Sequence, residues 1–327
     1  MREVAERAGV SQATVSRVLN GSVTVRTDYR DRVLAAVAEL DYRRNRLARN
    51  LRRRQTEMVG VVVSDIENPH FSEMVRAVED EAYRAGFRVL LCNTDESADK
   101  QRDYLEMLAD ERVVGVVISP SDPGGAEIGE LLDRGIPVVA LDREVTDPRA
   151  DAVVADNVGA AREATSRLIA AGHREIGFVA GRLDVETGDE RFEGYRSAMA
   201  GAGLRERAAG GGFRLAGGRR AAVELLAGEP RPTALVVANN LMTIGALQAL
   251  REAGVSVPGD VALIGIDDPF WAEMLDPPLT TLAQPARDMA DAAMSLLLER
   301  IGGQPESPRR LVFPFELKVR ASCGTRS

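Results

Sequence analysis

From residue 58 onward the chain alternates short apolar runs with amphipathic stretches, and this rhythm leaves few folds open. VGVVVS (59–64), FRVLLCN (87–93), VVGVVIS (113–119) and PVVALD (137–142) are apolar on consecutive positions. Strands of that kind are buried on both faces, as parallel strands are. Between and after them lie helical segments at 71–85, 99–110 and 126–134. Strand and helix in strict alternation predict a doubly wound parallel sheet. The rhythm then starts again, with helix 157–171, strand IGFVAG (176–181), helices 189–202 and 218–227, strand ALVVAN (234–239), helix 241–252 and strand VALIGID (261–267). Helix 285–301 and a single strand, LVFPFELKVR (311–320), close the chain. Sheets of this class bind ligands at the carboxyl ends of their strands. Position alone therefore nominates Ser64, Asp65, Asn93, Ser119, Asp142, Arg143, Asn239 and Asp267. Each of these could equally cap its own loop, so their convergence says more than any one of them.

The first 57 residues are different material. They hold 13 Arg against 7 acidic residues, whereas the rest holds 29 basic against 43 acidic, for a net charge of −8. A basic head on an acidic body suits contact with a polyanion. Within the head, Val4, Ala5 and Ala8 fall at helical spacing, and Gly9 supplies the freedom that a sharp turn needs. Ser11 can cap a second helix over 11–19, whose inner face is Val15, Val18 and Leu19. Gln12, Ala13, Ser16 and Arg17 fall elsewhere, placed to touch something outside. A third helix over 28–40 has Val33, Leu34, Val37 and Leu40 as its expected inner stripe. Two short helices at a Gly-containing turn, closed by a third, make a helix-turn-helix unit whose second helix lies in the major groove of DNA. A small helical dimerisation bundle would show the same periodicity.

Several function classes fall away. No apolar run approaches the roughly 20 residues that span a bilayer, and the N-terminal stretch has no signal-peptide core. His70 and His173 are the only histidines, each without a nearby Cys, so no metal site is expected. Cys92 and Cys323 are read as thiols rather than as a disulfide. There is no Walker loop, and GGGFRLAGG (210–218) is a loop delivering Phe213 rather than a dinucleotide fingerprint. No cofactor and no catalytic residues are expected.

Val4-Ala5, Ala8-Gly9-Val10-Ser11 and Thr14-Val15-Ser16-Arg17-Val18-Leu19-Asn20-Gly21 resemble the head of the lac repressor/galactose repressor (LacI/GalR) family. The resemblance continues through Asn68-Pro69-His70-Phe71, Leu141-Asp142-Arg143, Gly172-His173-Arg174, Arg191, Gly265-Ile266-Asp267-Asp268 and Pro278-Leu279-Thr280-Thr281. It implies an all-α helix-turn-helix head on an α/β, periplasmic-binding-protein-like body of two doubly wound parallel-sheet lobes. The implied division is a head at 1–44, a hinge helix and linker at 45–57, and an effector-binding and dimerisation body at 58–327. The N-lobe would comprise about 58–155 and 286–314, and the C-lobe about 156–284 and 315–327. The implied function is a repressor whose operator affinity is controlled by a sugar or related metabolite held between the lobes.

In the head, the resemblance assigns DNA contact to Ser11, Gln12, Ala13, Thr14, Ser16, Arg17 and Asn20. In the hinge it assigns Asn45, Ala48 and Leu51, with Leu51 as an apolar wedge into the minor groove. Arg44 stands where the family has a Pro, and Asn240 where it commonly has an Asp. The effector cleft would be lined by His70, Phe71, Ser119, Asp142, Arg143, Thr187, Arg191, Phe213, Asn239, Asp267 and Gln284. Arg191 and Asp267 would clamp the ligand from the second lobe. Two heads on a homodimer would read a pseudo-palindromic operator in the cytoplasm, at the nucleoid. No heptad tail follows the last strand, so a dimer is expected rather than a tetramer. An enzyme on the same fold would need a catalytic motif, and a periplasmic solute-binding protein would lack the head.

Overall fold

The computed structural model describes residues 2–19, 25–40, 56–303 and 307–324. Contacts divide the chain into two units, Met1–Gln55 and Thr56–Ser327.

In the first unit, α1 (Arg2–Ala8), α2 (Gln12–Leu19) and α3 (Thr27–Glu39) enclose a small core of Val4, Ala5, Ala8, Val15, Val18, Val33 and Ala36. The α1–α2 turn has Gly9 in the left-handed region, at φ 62°. The Ser11 hydroxyl accepts the Thr14 N–H at 3.1 Å, which caps α2 as its sequence predicts. Arg7 forms an ion pair with Glu39, and Arg32 donates to the Gly9 carbonyl at 3.2 Å, so α3 holds both sides of the turn. The inner stripe of α3 differs from expectation. Leu34 is 50% exposed and Leu40 41%, while Ala36 is buried. With so small a core, the short side chain of Ala36 lets α3 approach closely, and the bulkier leucines stay outside.

The second unit is two six-stranded sheets. In the first, β1 (Met58–Val63), β2 (Arg88–Asn93), β3 (Gly115–Ile118), β4 (Val138–Leu141), β5 (Asp151–Ala155) and β11 (Arg310–Phe313) lie in the order β11-β5-β4-β3-β1-β2, all parallel. In the second, β6 (Ile176–Ala180), β7 (Ala208–Gly210), β8 (Ala234–Val237), β9 (Ala262–Ile266), β10 (Thr280–Ala283) and β12 (Glu316–Lys318) repeat that order as β12-β10-β9-β8-β6-β7. Among these described strands only β12 runs antiparallel to its neighbour.

The first sheet is covered by α4 (Pro69–Arg84), α5 (Ala98–Asp110), α6 (Ala126–Asp133) and the returning α11 (Ala286–Ile301). The second is covered by α7 (Asn157–Ala170), α8 (Glu186–Gly201), α9 (Leu215–Ala227) and α10 (Asn240–Glu252). The helix pairs on the second sheet meet closely at Gly194 and Gly245. A Cβ there would lie 2.2 Å from the Val158 carbonyl oxygen and 2.1 Å from that of Leu215, so neither position admits a side chain. The inner strands are almost fully buried, as apolar runs without alternation require, whereas the edge strands β2, β7, β11 and β12 are partly exposed. β2, apolar on consecutive positions, is therefore not buried on both faces as its sequence predicts, because it has a neighbour on one side only.

The alternation read from sequence is present, with three strands added. Polar or small residues conceal them: β5 begins at buried Asp151, β7 is Ala-Ala-Gly and β10 is Thr-Thr-Leu-Ala. Asp151 is tolerated because Arg300 donates to both its oxygens, at 2.8 and 2.9 Å. The expected final strand over 311–320 is two strands, broken at Pro314, and each completes a different sheet. The chain thus crosses between the lobes three times, after β5, after β10 and after β11. No described helix is long and apolar enough to cross a membrane. Among the described residues no cluster of His, Cys, Asp or Glu is arranged to hold a metal ion.

Candidate nucleic-acid face and effector cleft

On α2, Gln12, Ala13 and Arg17 are exposed, and Thr14 and Ser16 half-buried, on the side away from Val15 and Val18. The predicted outer face is therefore available as one surface, with Ser11 at its entrance. Gln12 and Arg17 supply hydrogen-bonding groups there, and Ala13 supplies only a methyl. Asn20, Asn45, Ala48 and Leu51 lie outside the described residues.

The body has a cleft where the carboxyl ends of the two sheets face each other. Its walls are Asp65, Asn68, His70, Phe71, Glu96, Asp142 and Arg143 from one lobe, and Thr187, Arg191, Phe213, Arg214, Asn239 and Asp267 from the other. Nine of the eleven residues assigned to it from sequence are among them. Ser119 and Gln284 are not. The Ser119 hydroxyl is buried without a partner beside a small apolar void behind Phe71. Gln284, next to a crossover, donates to Asp142 at 3.1 Å and accepts from Arg191 at 3.3 Å, so it joins the two lobes behind the cleft. Asn93 accepts the Ile66 N–H at 2.9 Å and is a loop cap. Glu96 and Arg214 were not anticipated from sequence. Both lie in loops, a few residues beyond the ends of β2 and β7, past the strand-end positions that sequence can nominate.

On the first lobe, Asn68 caps α4 through the His70 N–H at 3.0 Å, with Pro69 at the first helical position. This fixes His70 and Phe71 at the helix start, facing the strand ends. His70 lies 3.3 Å from Asp142 and both are buried. Burial alone would push Asp142 up, but the His70 hydrogen bond and charge, with Arg143 and Arg191, hold it down at about 2. Burial would likewise push His70 down, and Asp142 overcomes it, so His70 titrates above its ordinary value. Arg143 is held by Glu96 at 2.8 and 2.7 Å.

On the second lobe, Arg191 projects from α8 and is 4% exposed. It donates to Asn157 at 2.8 Å, to the Ala238 carbonyl at 2.6 Å and to Gln284. Asn239 caps α10 through the Met242 N–H at 2.9 Å. Phe213 has φ 62°, and its ring lies over Gly181, where a Cβ would meet it at 2.2 Å. The loop that carries Phe213 is thus strained and seated on a glycine. Asp267 follows β9 and receives the Asn240 N–H at 3.3 Å on one oxygen, while its other oxygen is buried without a partner. Buried polar atoms are nearly always hydrogen-bonded, so an orphaned carboxylate oxygen in a cleft points to a ligand donor.

Other residues singled out from sequence fall elsewhere. His173 lies in a turn outside the cleft, where its ring nitrogen meets the Thr233 hydroxyl at 2.9 Å. Cys92 and Cys323 are buried and form no disulfide.

A three-helix DNA-reading unit joined to a two-lobed, ligand-binding type of body defines a class: the bacterial one-chain regulators of transcription. The model of bacterial regulatory proteins of the lacI family matches residues 1–45, and that of a periplasmic binding protein-like domain matches 165–323. The HTH-type transcriptional repressor PurR of Vibrio campbellii is 37% identical over 325 residues, 98% of this chain and 97% of that one. The transcriptional regulator CelR, solved with cellobiose, is 35% identical with a TM-score of 0.73, covering 98% of both chains. The lac repressor dimer, solved on its operator with the anti-inducer ONPF, is 28% identical with a TM-score of 0.86, covering 98% of this chain and 97% of that one. The chain belongs to the LacI family of DNA-binding transcriptional regulators, and it is not an enzyme.

Proposed function

We propose that this regulator is an operator-binding repressor, acting as a homodimer in the cytoplasm and at the nucleoid, whose DNA affinity is set by a small, neutral, polyhydroxylated effector held between the lobes. The supporting observation is the partnerless Asp267 oxygen, buried in the cleft that Phe71 and Phe213 also line. A sugar fits such a cleft, because its hydroxyls donate to carboxylates and its C–H faces lie against aromatic rings. The charges agree: Asp65, Glu96 and Asp142 are paired with Arg214, Arg143 and His70, and the remaining Asp267 and Arg191 are one charge of each sign, which leaves no surplus for a charged ligand. The cellobiose held by CelR supports the same class of molecule.

We read 1–44 as the head, 45–57 as the hinge with Asn45, Ala48 and Leu51 in it, and the rest as the body with the two lobes bounded as expected from sequence. Gln12 and Arg17 read bases, while Ser11, Thr14 and Ser16 position the helix. The test has two arms. Operator selected from random duplexes should lose about 1–3 kcal/mol of affinity with Arg17→Ala, measured by fluorescence anisotropy at fixed salt. A thermal-shift screen of sugars and purines should find a compound that also changes operator affinity. A specific DNA affinity that survives removal of residues 1–54 would overturn the reading, as would a ligand that binds without altering DNA affinity.

A further inference from the structure

One side chain meets all three crossovers. Arg191, on α8, donates from Nε to the Asn157 side chain at 2.8 Å and from Nη2 to the Gln284 side chain at 3.3 Å. Its guanidinium also lies over the Phe315 ring, 5.9 Å from the centroid. Asn157 follows β5, Gln284 follows β10 and Phe315 follows β11, so each contact falls on a different passage between the lobes. A further bond, from Nη1 to the Ala238 carbonyl at 2.6 Å, fastens the guanidinium to the end of β8. Two of the partners reach on into the first lobe. Gln284 donates to Asp142 at 3.1 Å, and Phe315 packs against the cores of both lobes.

A buried arginine is a costly group in such a place. Arg191 is 4% exposed, and among the described residues no carboxylate forms an ion pair with it. A buried charge without a counter-ion costs stability, which neutral acceptors offset only in part. What an arginine supplies in return is a rigid planar fork whose three nitrogens donate in different directions. Lysine has one nitrogen, and no uncharged side chain has three. We propose that Arg191 is a positioning residue: its guanidinium gathers the three crossovers and thereby couples the two lobes into one cooperative unit. The same side chain lines the effector cleft. A group bound there to its remaining N–H bonds therefore bears on every crossover through one residue. The coupling itself needs no effector, so it stands or falls apart from the effector reading.

The native thiols report on the lobes separately. Cys92 is buried on β2 in the first lobe, and Cys323 is buried in the core of the second. The full chain, without DNA or effector and at one protein concentration, is equilibrated in urea and pulsed with N-ethylmaleimide at pH 7. Mass spectrometry then gives the labelled fraction at each cysteine. In the unsubstituted chain both should become reactive at one midpoint. In Arg191→Met, which is apolar and uncharged, the midpoints should separate by about 0.5 M or more, with Cys323 reacting first. Arg191→Lys should separate them too, because a single ammonium cannot hold three passages. Tyr195→Phe is the control. The Tyr195 hydroxyl donates to the Ile176 carbonyl and accepts the Arg207 N–H, both within the second lobe, so its loss should lower both midpoints together. If Arg191→Met does not fold, Arg191→Lys and Gln284→Leu decide, the latter with a smaller separation. Midpoints already apart in the unsubstituted chain overturn the coupling. So do midpoints that fall together in every folded Arg191 and Gln284 variant, since an arginine that merely stabilises its own lobe behaves as the Tyr195 control does.

Discussion

The two lobes place an aspartate at the same point of the same topology. Asp142 follows β4 and Asp267 follows β9, the equivalent strands of the two sheets. Both are left-handed, at φ 73° and 72°, and both are buried. In each, the backbone N–H closes onto the neighbouring strand, at Val153 or Leu282. What differs is the company. Asp142 meets His70, Gln284 and Arg143, whereas Asp267 keeps one oxygen unpartnered. One backbone device therefore presents a carboxylate twice, and its neighbours make one a structural anchor and leave the other for the ligand.

Asp142→Asn gives the largest expected effect on stability. It leaves His70 and Arg143 with a weaker partner and should cost about 3 kcal/mol, read from urea unfolding at pH 6. The acid limb sharpens the point. Asp142 is depressed to about 2, so its contribution is present above its unfolded value near 4 and is lost as pH falls toward 2. The Asn variant should lack that part of the acid loss. Asp267→Asn keeps an acceptor for Asn240 and tolerates the left-handed backbone. It should weaken the effector by about 2 kcal/mol, roughly 30-fold by calorimetry, with stability changed by less than about 1 kcal/mol. If the two variants behave alike, the contrast between the aspartates is broken.

His70→Gln should cost about 1 kcal/mol. His70 is raised, so its contribution is complete below about 6.5 and is lost as pH rises through its folded value. The unfolding midpoint of the Gln variant should lack that decline. The smallest effect is expected at Ser119→Ala, which removes a buried hydroxyl that has no partner. Stability should change by less than about 0.5 kcal/mol, and effector affinity should hold.

These differences explain what could be read without coordinates. Runs such as VGVVVS announce themselves because burial on both faces demands consecutive apolar residues. β5 and β10 do not, because Asp151 and the two threonines are satisfied by partners remote in sequence, among them Arg300 and Arg320. Strand ends could be located, so Asp142, Arg143, Asn239 and Asp267 were found from position. Arg191 and Phe213 came from the family resemblance, since nothing local marks a mid-helix arginine or a loop phenylalanine. Leu34 and Leu40 misled, because helical spacing states which residues share a face and not how much core that face meets. Arg214 was invisible because its partners, Asp65 and Asp95, belong to the opposite lobe.

The break at Pro314 has a consequence for how the protein is made. Residues 310–318 give one edge strand to each sheet, so a ribosome that has not yet released them has completed neither lobe. The head, whose core lies wholly within residues 4–36, emerges long before. A nascent or prematurely terminated chain can therefore carry a finished helix-turn-helix unit while the two-lobed body is still without its last strands.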